Sequence, residues 1–297
     1  MLTGEDYQYP FLPQMMPLWH VMIFMVGTCI GSFLNVCIWR MPRGESVVSP
    51  PSRCPKCGHE LPWYENIPLF SWLALRGKCS SCATPITSRY FFVELLTGVL
   101  FFILWFKIVA DHQPLTLALI YLPVVAFIIT TIFIDIEHFI IPNLTTFPLM
   151  IIGMAAAVAF PQNWRVFGFF PEVTAFASHF YALGFSVLSM AIGYGAMALL
   201  SIGGKMIFKR DALGWGDVKY IAAIGACIGL KACFFSLLFG SLFGALVGLV
   251  MMSRNKARGT TALPFGPFLA TGTYVWMFYG ERLTFLYAKL WAALPQF

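Results

Sequence analysis

Among the 13 Asp and Glu residues, four fall at or inside the ends of long apolar runs: Glu94, Asp135, Glu137 and Asp217. Ionisable groups at membrane depth are costly and mark functional sites by default. Asp135 closes the run Val124–Ile134, and Asp217 follows Gly214-Trp215-Gly216 at the start of another apolar segment. Two carboxylates a few ångströms apart cannot both ionise readily, so they share a proton. The ionised member can take a proton from water, and the protonated member can donate to a carbonyl oxygen and then to a leaving amine. That is the chemistry of an aspartic peptidase. Plainer roles exist for each residue. Asp135 suits a helix-end carboxylate with a cytosolic partner, and Asp217 suits an N-terminal cap. Glu137 is an alternative acid, although two residues further on it points elsewhere. His138 reads as a solvated boundary residue. Glu94 either favours a helix N-terminus or points into the site.

The second chemical constellation is made of thiols. Of eight cysteines, Cys29, Cys37, Cys227 and Cys233 stand singly in apolar segments, where cysteine is usually a small buried hydrophobe. The other four form Cys54-Pro55-Lys56-Cys57 and Cys79-Ser80-Ser81-Cys82. Two such pairs can close on one tetrahedral zinc ion. A site closed by four thiolates has no open position, so it stabilises and does not catalyse. A segment this short depends on the metal for much of its folding energy. Gly58 follows the first pair and suits the left-handed turn of a knuckle, whereas Ala83 stands at the equivalent place after the second.

The elements that must position these groups are set by composition. The chain of 297 residues is 59% hydrophobic and 11% charged, against about 25% charged in soluble domains. The spacing predicts an all-α polytopic membrane protein with about eight transmembrane helices, at 18–39, 91–110, 115–134, 146–161, 176–202, 218–230, 231–252 and 264–280. A small zinc-ribbon-like domain at 40–90 lies between the first and second spans, and the core occupies 91–280. Met1–Pro17 carries no basic residue and precedes a span-length run, which predicts a tail and no signal peptide; 281–297 is the other tail. Of the 19 Lys and Arg residues, only Lys107, Arg165, Lys231, Arg282 and Lys289 fall outside 40–90, 135–145, 203–219 and 253–263. The positive-inside rule therefore places both termini outside and 40–90 in the cytosol, where disulfides are disfavoured. The net charge of +6 sets orientation and lipid contact, and gives no nucleic-acid footprint. Asp135 and Asp217 thus reach one membrane face at one depth. Gly27-x-x-x-Gly31 and the series Gly240, Gly244, Gly248 predict close helix packing.

The sequence resembles the bacterial type IV prepilin peptidases over nearly its whole length. The resemblance rests on Gly31-Ser32-Phe33-Leu34-Asn35-Val36, the two cysteine pairs, Glu65-Asn66-Ile67-Pro68, Ser71-Trp72-Leu73 and Tyr90 to Glu94. It continues through Asp135, Ile141-Pro142-Asn143, Gly214 to Lys219, and Pro264-Phe265-Gly266-Pro267. It implies an inner-membrane enzyme with periplasmic termini whose G-x-G-D aspartate, Asp217, pairs with Asp135. Such an enzyme cuts the leader of prepilins and secretion pseudopilins after a glycine at the cytosolic face. The cysteine domain implies the bifunctional form, which methylates the new N-terminus with S-adenosylmethionine. Glu65 stands where many relatives carry Asp. No G-x-G-x-x-G segment is present, so a donor site would be built from 40–94 and adjoining helices, with Glu65 and Glu94 as its candidates. Gly214, Gly216, Lys219, Pro264, Phe265 and Gly266 are candidate site-lining residues; Pro264–Pro267 interrupts an apolar stretch, as backbone bordering a cavity does. Two rival readings are a transporter using Asp135 and Asp217 as a proton relay, and a non-catalytic assembly factor with a zinc module.

Overall fold

The protein is described from a computed structural model, which covers residues 12–166, 174–209, 213–254 and 263–293. Most of the 1–17 tail, part of 281–297 and the basic residues Arg210, Lys256 and Arg258 lie outside the described residues. The described residues form ten α-helices: α1 (Leu12–Arg40), α2 (Phe70–Ala74), α3 (Arg89–Ala110), α4 (Ala118–His138), α5 (Asn143–Ala159), α6 (Asn163–Val166), α7 (Ala175–Phe208), α8 (Trp215–Ile228), α9 (Leu230–Ser253) and α10 (Gly266–Ala293). The chain divides into two units, 1–134 and 135–297, with the division inside α4.

The bundle is all-α and multi-span, with fewer spans than the sequence predicts. Among the described residues five helices are long and apolar enough to cross a membrane: Pro17–Arg43, Arg89–Ala110, Leu115–His138, Phe176–Ile207 and Leu230–Ser253. The runs at 146–161, 218–230 and 264–280 become α5 with 17 residues, α8 with 14, and part of the 28-residue α10; none meets that standard. The reason is clearest at α8. Apart from Lys219, every residue from Asp217 to Ile228 is buried, so protein and not lipid surrounds the helix. A helix of about 21 Å in that setting need not match a hydrocarbon layer of about 30 Å.

In the first unit α1 and α3 run antiparallel in close contact. A Cβ on Gly27 would lie 2.8 Å from the Gly98 Cα, and one on Gly31 would lie 2.7 Å from the Glu94 Cα. One turn on, the Asn35 amide donates to the Tyr90 carbonyl at 3.0 Å. In the second unit α8 is the centre. Gly153 of α5 meets the Ala226 carbonyl, and Gly225 of α8 meets the Ser189 carbonyl of α7. Gly229, at φ 90 and ψ 176, separates α8 from α9 in a conformation that favours glycine. Gly240 and Gly244 of α9 accept Leu269 and Phe268 of α10, whereas Gly248 meets only the Leu263 side chain ahead of that helix, so the first two glycines of the series pack helices.

No ribbon sheet forms between α1 and α3. Among the described residues the segment holds two single antiparallel bridges, Arg53 with Glu60 and Lys78 with Pro85. Each bridge closes one cysteine knuckle.

Candidate active site

Asp217 is placed by the start of α8. Gly214 is the N-cap, and its N–H donates to the Asp217 carboxylate at 3.2 Å. A carboxylate in the first turn also suits the helix dipole. Gly214 has φ −73 and ψ 148, a conformation open to any residue. Gly216 is different, because a Cβ there would lie 2.9 Å from the Ile141 Cβ. That contact brings α8 against the chain leaving α4. Pro142 then starts α5, and Lys219 donates to the Asn143 side chain at 2.8 Å, tying α8 to α5 just past the aspartate.

Asp135 sits near the end of α4 and meets α10. The Gly266 N–H, at the first residue of α10, donates to the Asp135 carboxylate at 2.8 Å. A Cβ on Gly266 would lie 2.7 Å from that oxygen. The Phe265 carbonyl accepts the Phe268 and Leu269 N–H groups, so Pro264–Gly266 begins the helix and does not break one. Asp135 is 5% exposed and Asp217 8%, and the two carboxylates feel each other's charge. Both therefore lie at helix N-termini, Asp217 at its own and Asp135 at that of α10. Behind them runs a buried hydroxyl chain. Tyr220 OH lies 3.0 Å from the Thr273 hydroxyl, which lies 2.9 Å from that of Ser236. Tyr220 is one turn beyond Asp217, so the chain ties α8 to α10 and α9. Tyr220 is not among the residues that the sequence marks; its spacing of three from Asp217 is the signal it offers.

Two matches with known families decide the assignment. Residues 25–108 match the Bacterial Peptidase A24 N-terminal domain, and residues 122–249 match the Type IV leader peptidase family. A prepilin leader peptidase/N-methyltransferase of Stutzerimonas stutzeri is 31% identical over 297 residues, covering 92% of this chain and 95% of that protein. The chain belongs to the type IV prepilin peptidase family. The protein of the same name from Dichelobacter nodosus is 33% identical over 296 residues, 88% of this chain and 93% of its own. That of Myxococcus xanthus is 41% identical over 243 residues, 82% of this chain and 66% of its own. No solved structure matches. Membership makes the protein an aspartic peptidase of the membrane. The Pro264–Pro267 segment that meets Asp135 lies beyond the stretch matched to the leader peptidase family.

The first unit holds the thiols. The ligand atoms of Cys54, Cys57, Cys79 and Cys82 all lie within 4.8 Å of one another. Cys54 and Cys82 are 3.8 Å apart, and Cys57 and Cys79 3.9 Å. Four sulfurs at about 2.3 Å from one tetrahedral zinc are about 3.8 Å apart, so the cluster fits that ion. The knuckles repeat each other. The Cys54 N–H donates to the His59 carbonyl and the Cys79 N–H to the Thr84 carbonyl. Gly58 and Ala83 take the same left-handed turn, at φ +75 and +53. The Thr84 hydroxyl, followed by its backbone, draws the Cys82 thiol down to about 6, toward the thiolate that binds metal.

Glu65 and Glu94 are engaged separately. Glu65 accepts from Ser80 at 2.9 Å and lies 3.3 Å from the His59 ring, so it joins both knuckles. Glu94 accepts the Leu69 N–H at 2.8 Å and a hydrogen bond from Ser32. Leu69 has φ +62 and ψ −51, a strained γ-turn in which the Phe70 N–H reaches the Pro68 carbonyl at 2.6 Å.

Proposed function

We propose that this chain cleaves the leader peptide of type IV prepilins and secretion pseudopilins after a glycine at the cytosolic membrane face, with Asp135 and Asp217 as the catalytic dyad. The observation that carries the reading is the pair of buried carboxylates, each held by a backbone N–H at a helix N-terminus. The ionised member draws a proton from water, which attacks the scissile carbonyl. The other protonates the carbonyl oxygen and then the departing amine. Gly214, Gly216 and Gly266 leave backbone beside the carboxylates, and Pro264–Phe265 lines the approach from α10. Lys219 orients the start of α5 through Asn143. The basic inner segments favour periplasmic termini, a cytosolic cysteine domain at 40–90 and a peptidase core at 91–280.

Relatives carry the name leader peptidase/N-methyltransferase, which supports a second step, methylation of the new N-terminus with S-adenosylmethionine as donor. The cysteine cluster holds structural zinc in this reading. Glu65 and Glu94 are the donor-site candidates in this reading: each accepts hydrogen bonds within the fold, and a carboxylate has acceptor sites to spare. Methyl transfer then belongs to the cysteine-bearing half and the start of α3, which carry these two carboxylates.

The test is mass spectrometry of a prepilin incubated with purified protein and S-adenosylmethionine. Leader loss and a methyl increment are read separately. Retained leader cleavage by an Asp217→Asn variant that inserts normally in membranes would remove the dyad from the reaction.

A further inference from the structure

Between α1 and α3, six large apolar side chains of the described residues are exposed, and five of them lie in one short stretch. Trp63 is 80% exposed, Tyr64 56%, Ile67 39%, Phe70 66% and Leu73 57%; the sixth, Val48, lies apart. The stretch is one rigid piece. The Ser71 hydroxyl, buried within it, donates to the Tyr64 carbonyl at 2.8 Å and accepts the Ile67 N–H at 3.1 Å. The turn carrying Trp63 and Tyr64 is thereby fixed to α2, which carries Phe70 and Leu73.

The inner side of α2 shows where the outer side must be. Trp72 packs inward on the Phe91 ring of α3, with centroids 5.2 Å apart. Its indole N–H lies 3.4 Å from the Ile86 carbonyl. Gly77 closes over the ring; a Cβ there would lie 2.8 Å from it. The Leu69 N–H is bound by Glu94 of α3. Phe91 and Glu94 are two and five residues into α3, about 3 and 8 Å along its axis. That helix has 22 residues, about 33 Å, which barely exceeds a hydrocarbon layer of about 30 Å. The α2 segment therefore sits at the level where α3 enters the bilayer. From Phe91 the aromatic contact continues to Phe92, 5.8 Å away, on the exposed, lipid-facing flank of this membrane helix.

We propose that residues 63–73 form a membrane-interface anchor: Trp63, Tyr64, Phe70 and Leu73 insert at the boundary of headgroups and acyl chains beside the start of α3. Trp and Tyr are the residues that favour this depth, and a short apolar face is buried about 5–10 Å there. The occupant is lipid, because the segment packs on α3 at the level of a lipid-facing flank. The anchor holds the cysteine module down on the membrane surface, with Glu65 linking it to the knuckles through His59 and Ser80. The inference rests on the membrane bundle and is independent of either chemical step.

The test places a benzophenone amino acid, one position at a time, at Phe70, Leu73, Phe92 or Val48 of the full chain. Each protein is reconstituted in vesicles of phosphatidylethanolamine and phosphatidylglycerol with a prepilin present, and irradiated. Lipid adducts from positions 70 and 73, at yields comparable to position 92 and with none from position 48, support the anchor. Adducts at 70 and 73 only on the prepilin or on a second copy of the chain overturn it. Equal lipid labelling at position 48 also overturns it, because the stretch then has no special depth. Phe70→Glu, checked for retained zinc, should raise hydrogen exchange across 62–75; unchanged exchange counts against the proposal.

Discussion

Replacing Gly266 by Ala tests the site at its tightest contact. The new Cβ would lie 2.7 Å from the Asp135 Oδ2 and 3.2 Å from its Cγ, where ordinary contact begins at 3.4 Å. The carboxylate must retreat by the difference, 0.7 Å, or α10 must shift. A 2.8 Å hydrogen bond lengthened that much reaches about 3.5 Å, outside useful range. Hydrogen bonds to charged groups contribute about 1.5–3 kcal/mol. If that loss appears wholly in the transition state, kcat/KM falls roughly ten- to 150-fold. Gly214→Ala is the control from the same motif. Its Cβ would lie 3.4 Å from the Asp217 Oδ2 and its dihedrals are open to Ala. The poorer N-cap costs at most about 1 kcal/mol, so the rate stays within roughly fivefold. The assay is initial-rate cleavage of a reconstituted prepilin, with thermal unfolding of each variant measured alongside. The reasoning is refuted if Gly266→Ala cleaves like the native chain, or if Gly214→Ala loses as much while remaining equally stable.

Other outcomes follow from particular contacts. Asp135→Asn and Asp217→Asn should each reduce cleavage by roughly 10⁴-fold, with the double variant little worse because the two act as one unit; additive losses would separate them. Tyr220→Phe should slow cleavage several-fold through kcat, about 1 kcal/mol for one hydrogen bond, and should be non-additive with Thr273→Val in a double-mutant cycle. Cys54→Ser should lose zinc by elemental analysis. In the native chain zinc should be released as pH falls, because protons compete for the thiolates that bind it. Ala83→Gly should slow zinc loss to a chelator: it relieves a left-handed alanine, about 1–2 kcal/mol, against about 0.4–1 kcal/mol of added unfolded-chain freedom.

Hydropathy made the helical membrane class legible, because lipid-facing helices such as α9 must be apolar along their length. It misjudged the number of spans where helices are enclosed. Within α8 the sequence runs Ile-Ala-Ala-Ile-Gly-Ala-Cys-Ile, and its small residues answer to neighbouring helices, not to lipid: Gly225 meets the Ser189 carbonyl of α7, and the Ala226 carbonyl meets Gly153 of α5. The cysteine cluster was legible from spacing alone, since the ligand geometry is local to each knuckle. The bond from Gly266 to Asp135 was not, because the residues are 131 positions apart and no periodicity links α4 to the start of α10. The Leu69 turn left no signal either: leucine is disfavoured at positive φ, and only the Glu94 carboxylate explains its N–H.

The glycines near the aspartates fall into two kinds, and the difference says how the site is built. Gly214 has room for a side chain, whereas Gly216 and Gly266 have none, because each lies against what α4 delivers: Ile141 for one and Asp135 for the other. The end of α4 is thus pressed from one side by the N-terminus of α8 and from another by that of α10. The Tyr220–Thr273 bond fixes those two helices to each other. Three elements far apart in sequence meet at two contacts with no space for a methyl group, so a displacement in any one changes the geometry between the carboxylates. That makes α10, which contributes no acidic residue to the pair, as necessary to the placement of Asp135 and Asp217 as the helices that carry them.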